Sequence, residues 1–534
     1  TQHVALDLSS WKGLVPIELF GKTEFPTLTQ TPFILTPGPY AVTWFSLEKP
    51  DKPRCPADPM VIPEIKWKKG EPAFEQTLPD FLKKSRWFSG KGRVIERVHI
   101  SERLVPPKLK QSHRHREKTV LLIVEVTYAE GPSEGTVSCE RYFVPLTLVQ
   151  GQWVDAFQSP EFCKSLLNKI VPLSAGEKLT PKLLETEQSN TSVIFGNRFI
   201  LKVYRKFVAG EKIEQEIGLH LTQKVQFQNT PKVVGTLNLR RGKEIVPMGI
   251  LHAFIPETKN GWDFTCEALT HCFECAQKNH SPAILGFLSV ATLLGQRTAE
   301  LHLALSADLK NKDFSPEPYG TLYQQSLYQS LRNQLRLTFR QLRHGLTSLP
   351  TNVFKLATEV LLHEQTILDI FSELRTRPLR SHKIRIHGDY HLGQVLYTGK
   401  DFMIIDFEGE PARTLSDRVR KRSALYDVAG MLRSFHYSAA STLIKQGDDK
   451  KKLLSKWAEV WYRAVSQAFL NAYINTAGKT VFLPADPHER GFLLTISLIE
   501  KVLYEIRYEQ NNRPSWLRSP LAGLIDILTE ERRL

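Results

Sequence analysis

From residue 261 onward the chain repeats an apolar helical period through five long stretches, 284–305, 322–342, 352–374, 451–473 and 489–510, and breaks it once. The break is a β island: Ile384-Arg385-Ile386, then residues 394–397, then 402–406. Its loops hold His387-Gly388-Asp389-Tyr390-His391-Leu392-Gly393-Gln394 and Asp406-Phe407-Glu408-Gly409. A short strand pair set among helices, with acids at both of its loops, makes this half of the chain a mainly helical lobe interrupted by one β island.

The half before it is patterned differently, so the chain reads as α+β with several units. Residues 1–48 carry short apolar runs (14–20, 33–36, 40–47) parted by turns such as Thr36-Pro37-Gly38-Pro39, a small β-segment with a thin core. Residues 49–63 hold five prolines and many charges and read as an extended linker that cannot be helical. Residues 64–160 mix strands with loops; 119–128 and 140–148 are β-rich. Residues 161–260 continue as strand and helix, with an alternating strand pair over 192–204 that turns at Gly196-Asn197. Residues 261–534 form the helical part.

The chain has 534 residues and a net charge of +15, a field that favours anions such as ATP. The basic run at 108–118 has no interleaved aromatic residues and reads as a solvated loop, so no nucleic-acid partner is expected. Six cysteines are too few for a disulfide framework, and Cys266, Cys272 and Cys275 fit a helix face better than a zinc spacing. No segment has the apolar length of a membrane span, and no signal peptide is visible, so a reducing cytoplasm is the expected compartment. The start at Thr1 leads us to expect processing or a piece of something longer.

Phosphoryl transfer needs a carboxylate to take the proton of the attacking hydroxyl, ligands for Mg²⁺, a lysine for the phosphates and a loop to cover them. Each has a candidate, in kinase order. Asp389 is the carboxylate. Gln394 follows five residues later, and Asp406 comes after the buried run Met403-Ile404-Ile405; these two are the Mg²⁺ ligands. Lys202 alternates with Leu201 and Val203 on a strand. The polar stretch Gln188-Ser189-Asn190-Thr191-Ser192 lies just upstream as the phosphate-covering turn, without the glycines of a Walker loop. Glu211, Glu214 and Glu216 follow on a helix-like stretch, and Glu216 is the favoured partner of Lys202. Residues 248–254, before Ile255-Pro256, are the candidate adenine hinge.

The loop run His387 to Leu396 and Asp406-Phe407-Glu408-Gly409-Glu410-Pro411 closely resemble bacterial maltokinases, relatives of aminoglycoside and choline kinases. So do Arg86-Trp87-Phe88-Ser89-Gly90-Lys91, Asn260-Gly261-Trp262, Arg297-Thr298-Ala299-Glu300-Leu301-His302, the stretch Asp427-Val428-Ala429-Gly430, and Tyr504-Glu505-Ile506-Arg507-Tyr508-Glu509 with Arg513-Pro514. The resemblance covers about residues 64–534. It implies the bilobal eukaryotic-kinase-like (aminoglycoside phosphotransferase) fold, with a cap at 64–160, an ATP-binding intermediate lobe at 161–260 and a C-lobe at 261–534. It further implies ATP and Mg²⁺, maltose as acceptor, maltose 1-phosphate as product and a maltosyltransferase downstream that builds α-glucan. Residues 1–48 are similar to the C-terminal β-domain of bacterial trehalose synthases. The expectation is therefore a fusion protein whose trehalose synthase catalytic domain lies upstream.

The acceptor end is less determined. Lys501, Tyr504, Glu505 and Tyr508 share one face of a helix, which suits either a disaccharide or an ordinary amphipathic packing. The resemblance favours sugar contacts from Lys501, Tyr504, Glu505 and Arg513, with Glu408 and His387 near the reacting sugar. Two alternatives stay open: a kinase of the same fold acting on another small alcohol or an aminoglycoside, and a non-catalytic pseudokinase that binds glucan or tethers a partner.

Overall fold

In the computed structural model the chain divides into two compact units, Pro53–Thr258 on one hand and Thr1–Lys52 with Lys259–Leu534 on the other. The structure describes residues 4–18, 28, 33–35, 45–48, 60–62, 74–106, 119–129, 139–173, 179–184, 189–207, 213–241, 244–277, 284–411, 413–446 and 448–531. Most of the linker span 49–63, the basic run 108–118, Gln188 and Glu211 lie outside them.

The unit Pro53–Thr258 holds two sheets. The first runs Pro181–Leu183, Asn190–Phe195, Phe199–Tyr204, Glu244–Ala253, Val233–Arg241 and Met60–Ile62, antiparallel except for the last pair. The end of the expected linker is thus a strand, because Met60-Val61-Ile62 can pair where the prolines around it cannot. The second sheet runs Lys206–Phe207, Cys139–Val149, Thr119–Tyr128 and Ile95–Leu104, with Gln152–Asp155 paired to Cys139–Val149.

The apolar run Val120-Leu121-Leu122-Ile123-Val124 explains the layering. Successive side chains of a strand point to opposite faces. Leu121 and Ile123 enter one core with Val193, Leu201, Val203 and the helix Pro160–Ile170. Val120, Leu122, Val124 and Val126 enter another with Leu78, Leu82, Trp87 and Phe88. A strand buried on both faces reads as continuous hydrophobicity, which is what the sequence carries. The helix Pro160–Ile170 starts where Ser159 caps it and Pro160 occupies its first turn.

In the other unit, Val4–Leu6 pairs with Phe33–Leu35 and Val15–Glu18 with Phe45–Glu48. The remainder is helical: Gly261–Gln277, Ile284–Leu305, Thr321–Gly345, Thr351–Leu362, Glu364–Ser372, Leu425–Ile444, Asp448–Ala477, Pro487–Asn512 and Arg518–Glu531. Leu425–Ile444 is buried along nearly its whole length, so it lacks the amphipathic stripe that marks a helix in sequence. Ile284–Leu305 crosses Asp448–Ala477 so closely that a Cβ on Gly295 would meet the carbonyl oxygen of Phe469. The stretch expected as one helix over 352–374 is two, interrupted where the His363 N–H turns back to Val360 O. No described helix is long and apolar enough to cross a membrane.

The β island forms as Val395–Tyr397 and Phe402–Ile404, joined by Lys259–Asn260. Ile384-Arg385-Ile386, expected as a strand, makes only a single bridge, Ile384 to Arg422; the paired residues are instead His382–Lys383, against Glu317–Pro318.

Candidate active site

The loop carrying Asp389 is held from beneath by one buried carboxylate. Asp427, in the first turn of Leu425–Ile444, accepts from the N–H of His387 at 2.7 Å and of Gly388 at 2.9 Å. His302 Nε2 sits 3.1 Å from the same carboxylate, and its Nδ1 lies 2.9 Å from the Tyr473 hydroxyl. With the proton on Nε2, the ring donates to Asp427 and accepts from Tyr473. Burial would raise the Asp427 pKa, but the hydrogen bonds and charge around it hold it below the usual carboxylate range. Gly388 turns the chain at φ +85°, a conformation glycine adopts without cost.

The helix Ile284–Leu305 supplies three of these supports at helical spacing. Arg297 grips Asp401 with two bonds, 2.8 and 2.9 Å, and so fixes the hairpin turn. Thr298 meets the Tyr390 hydroxyl at 2.9 Å, and His302 reaches Asp427. Asn260 donates to Gly393 O at 3.2 Å and accepts from the N–H of Trp262.

On this frame Gln394 and Asp406 come together: Gln394 Nε2 donates to Asp406 Oδ2 at 2.9 Å. Asp406 is a non-glycine residue at φ +67°, a left-handed position that aspartate tolerates better than most and that recurs where function fixes the backbone. An amide and a carboxylate side by side are hard oxygen donors of the kind Mg²⁺ takes. Asp389 is partly exposed. His391 faces it with Nε2 at 3.9 Å, because Nδ1 of that ring accepts the Gly393 N–H. Burial lowers the His391 pKa, against the pull of Asp389.

His387 does not face an acceptor. It is buried, with its Nε2 donating to Ile405 O at 2.9 Å and its ring against Tyr390 and Phe407. Its placement corrects the expectation of a sugar contact: the ring ties the Asp389 loop to the residue before Asp406. Glu408 is partly buried, and its carbonyl accepts from Arg418.

The four helix residues expected at the sugar separate into two groups. Lys501 is buried against Glu410, 3.7 Å away, with its ammonium over the Tyr426 ring. Burial would lower its pKa, but Tyr426, Glu410 and Asp389 raise it. Burial raises the Tyr504 hydroxyl, and Glu410 and Asp389 raise it further. Both residues therefore feel the charge of Asp389. Glu505 instead takes the fully buried Arg433 at 2.7 Å, and Arg513 lies half-exposed on Glu509, Tyr508 and Trp516. The charges of these two are engaged by helix neighbours, Arg433 and Glu509, and neither side chain lies with Lys501 and Tyr504 around Glu410.

Sequence reasoning gave no role to Glu410, Arg413, Arg422 and Glu500. Glu500 accepts from Arg413 at 2.9 Å and from Arg422 at 2.8 Å; Arg413 and the Tyr426 hydroxyl both donate to Glu410. Burial would raise Glu410, but Lys501 and Arg413 hold it down at about 2. The charges at 410, 413, 422 and 500 sit among other charged and polar residues in the sequence, Arg422 in the basic run 418–422 and Glu500 next to Lys501, so only their meeting in space gives them meaning.

In the unit Pro53–Thr258, strand alternation sorts the nucleotide candidates. Ser192 pairs with Lys202 and Asn190 with Tyr204, so these four share a face. Lys202 donates to Glu214 Oε1 at 3.2 Å and the Tyr204 hydroxyl to Glu214 Oε2 at 2.8 Å. The partner is thus Glu214 rather than the expected Glu216, which lies two residues and about 200° further round the helix. Gln215 fixes that helix by donating to Gly249 O at 2.8 Å. Thr191 faces the opposite side and accepts from Arg205, so it is not part of a phosphate-covering turn; Ser192 is likewise a buried strand residue, and Ser189 is exposed beside it. Residues 248–254 fall in the strand Glu244–Ala253 and just past it.

Residues 81–158 match the family described as maltokinase N-terminal cap domain, and residues 1–44 the one described as maltogenic amylase, C-terminal domain. A glucosamine kinase of Streptacidiphilus jiangxiensis is 24% identical over 64% of this chain and 72% of its own. A trehalose synthase/amylase of Mycolicibacterium smegmatis is 40% identical over 50 residues, 9% of this chain and 8% of its own. The solved structure of a glucosamine kinase in complex with glucosamine, ADP and inorganic phosphate superposes with a TM-score of 0.59 at 19% identity, covering 82% of this chain and 94% of that one. The chain therefore has an α+β kinase-like fold with a maltokinase-type N-terminal cap, preceded by a segment of the maltogenic-amylase C-terminal type.

Proposed function

We propose that this chain is an ATP-dependent maltokinase that transfers the γ-phosphoryl group to the anomeric hydroxyl of maltose. The observation that carries the reading is the Asp389 loop: a partly exposed carboxylate on a backbone pinned by buried Asp427, with Gln394 and Asp406 paired beside it. Asp389 accepts the proton of the C1 hydroxyl as its oxygen attacks the γ-phosphorus, and ADP leaves. Gln394 and Asp406 would hold Mg²⁺, which would supply charge neutralisation on the phosphate oxygens. Lys202, oriented by Glu214, takes the α- and β-phosphates, with exposed Ser189 and the strand residue Asn190 beside them. Lys501 and Tyr504 orient the sugar, and Glu408 lies on the loop that faces it.

The amylase-type segment supports maltose as the acceptor, since such segments accompany enzymes of α-glucosides. In this reading a trehalose synthase catalytic domain lies upstream in the full protein. The product feeds a maltosyltransferase that extends α-glucan, in the cytoplasm. A second reading, phosphorylation of an amino sugar, is favoured by the relatives named glucosamine kinase. Steady-state assays with ATP, Mg²⁺ and either maltose, glucose or glucosamine separate the two. The maltose reading expects the highest kcat/KM on maltose, and a preference for glucosamine overturns it.

A further inference from the structure

Arg86-Trp87-Phe88-Ser89-Gly90-Lys91 stands out in the sequence, and phosphoryl transfer gives it no role. In the unit Pro53–Thr258 it packs around Tyr142. The Phe88 ring is 5.1 Å from the Tyr142 ring, Ser89 Oγ lies 2.7 Å from its hydroxyl, and a Cβ on Gly90 would sit 2.2 Å from the Tyr128 hydroxyl. Tyr128 and Tyr142 both donate to Glu140, as does Lys206 at 2.8 Å. Trp87 is buried, and its Nε1 donates to Asp155 Oδ2 at 3.3 Å.

The same Asp155 oxygen takes Arg205 Nη2 at 2.7 Å. Arg205 is 1% exposed and lies between the rings of Trp87 and Phe157, at 4.7 and 4.8 Å. Its Nε donates to Thr191 Oγ1 at 2.7 Å and its Nη1 to Phe143 O at 3.4 Å, while its own carbonyl accepts from Phe143 N. It is also where the chain leaves one sheet for the other: Phe199–Tyr204 ends just before it, and Lys206–Phe207 pairs with the cap strand Cys139–Val149 just after. Burial pulls its pKa down, and Asp155 opposes that.

A buried guanidinium is costly for stability where an apolar side chain would pack, so its gain is sought in placement. What it places is specific: the strand bearing Lys202, three residues upstream, and Thr191, next to the strand-mate Ser192. We infer that Arg205, with Asp155 and Trp87, is a positioning cluster. Through it the cap sets the depth and register of the Lys202–Glu214 pair for a nucleoside triphosphate. The inference rests on Lys202 being the phosphate lysine of the proposed reaction.

The test uses the full chain and Arg205→Lys, Asp155→Asn and Trp87→Phe, with a fluorescent Mg·ATP analogue read by direct titration. Circular dichroism and melting give the folded fraction. A misplacement of the lysine strand weakens nucleotide binding about ten-fold in Arg205→Lys and Asp155→Asn, and less in Trp87→Phe, with the sugar KM unchanged within about two-fold. Wild-type nucleotide Kd in the folded variants, with activity lost only in proportion to the folded fraction, overturns the inference. If Arg205→Lys does not fold, the milder Asp155→Asn and Trp87→Phe decide it by the same criterion. Nucleotide binding needs no acceptor, so a failure of maltose as substrate reads out separately. A wild-type chain that does not bind ATP overturns both.

Discussion

The Asp389 loop and the Lys202 strand, the two halves of the proposed site, are built in different ways. Asp389 sits on irregular backbone whose N–H groups are taken by a buried carboxylate, itself held by His302 and Tyr473. Lys202 sits on regular strand, and its position comes from cross-strand register and a helix pinned by Gln215. The first arrangement holds the proposed proton acceptor through a few groups, Asp427, His302 and Tyr473, each of which bears much of the support. The second spreads its support over a ladder of ordinary hydrogen bonds, so single losses within that ladder should be milder, with the Arg205 cluster at the strand's end as its one concentrated support.

Four predictions sharpen or break that contrast. The largest effect falls on turnover: Asp389→Asn lowers kcat by about a thousand-fold while the Kd for Mg·ATP stays within about three-fold. A rapid-quench assay beside a nucleotide titration measures both, and unchanged turnover would remove Asp389 from the chemistry. Next is Asp427→Ala, which strands His302 and two buried N–H groups and should cost ~3–5 kcal/mol in denaturant melts. A loss below 1 kcal/mol would mean the loop does not depend on that carboxylate.

Lys202→Met should weaken Mg·ATP about ten-fold, equivalent to ~1.4 kcal/mol, and cost less stability than Asp427→Ala, because the Tyr204 hydroxyl still donates to the Glu214 it leaves behind. Equal losses of stability for Lys202→Met and Asp427→Ala would erase the contrast.

The smallest effect concerns acid. His252, on the strand beside Lys202, is pushed by burial from 6.5 to about 4. The unfolded chain then binds a proton that the folded one refuses, so this unit loses stability as pH falls from 6.5 towards 4. Glu410 is held down from 4.5 to about 2. It contributes stability that is complete above 4.5 and is lost only as pH falls towards 2. Hydrogen exchange at pH 5 against pH 7, corrected for intrinsic rates, should therefore show protection falling in 190–253 before it falls in 387–433. Simultaneous loss would contradict the assignment.

The same contrast explains what the sequence made legible. Asp389, Gln394 and Asp406 lie within 18 residues, on loops between apolar runs, so spacing alone groups them. The hairpin at Gly196 was equally local: the strands Asn190–Phe195 and Phe199–Tyr204 pair in register across it. The partner of Lys202 was missed because helix phase, which nothing in the sequence sets, decides between Glu214 and Glu216. Thr191 was read as turn because its hydroxyl resembles a phosphate ligand; strand alternation turns it to Arg205. For His387 and Glu505 the expectation of a sugar contact comes from the resemblance alone. Their partners, Ile405 and Arg433, are 18 and 72 residues away, so only the fold reveals that their polarity is already satisfied. The long helix Leu425–Ile444 escapes for a different reason: it is buried on nearly every side, with Asp427, Arg433 and several serines among its buried residues, so no polar stripe marks it.

One product decides whether this chain phosphorylates maltose through Asp389. Wild-type chain and Asp389→Asn are each incubated with ATP, Mg²⁺ and maltose, and the mixture is read by ³¹P NMR for an anomeric sugar phosphate. Wild type should convert maltose to maltose 1-phosphate with stoichiometric ADP, and Asp389→Asn should leave maltose unphosphorylated while still binding ATP. ATP-dependent phosphate on glucosamine but not on maltose, or equal product from both proteins, would contradict it.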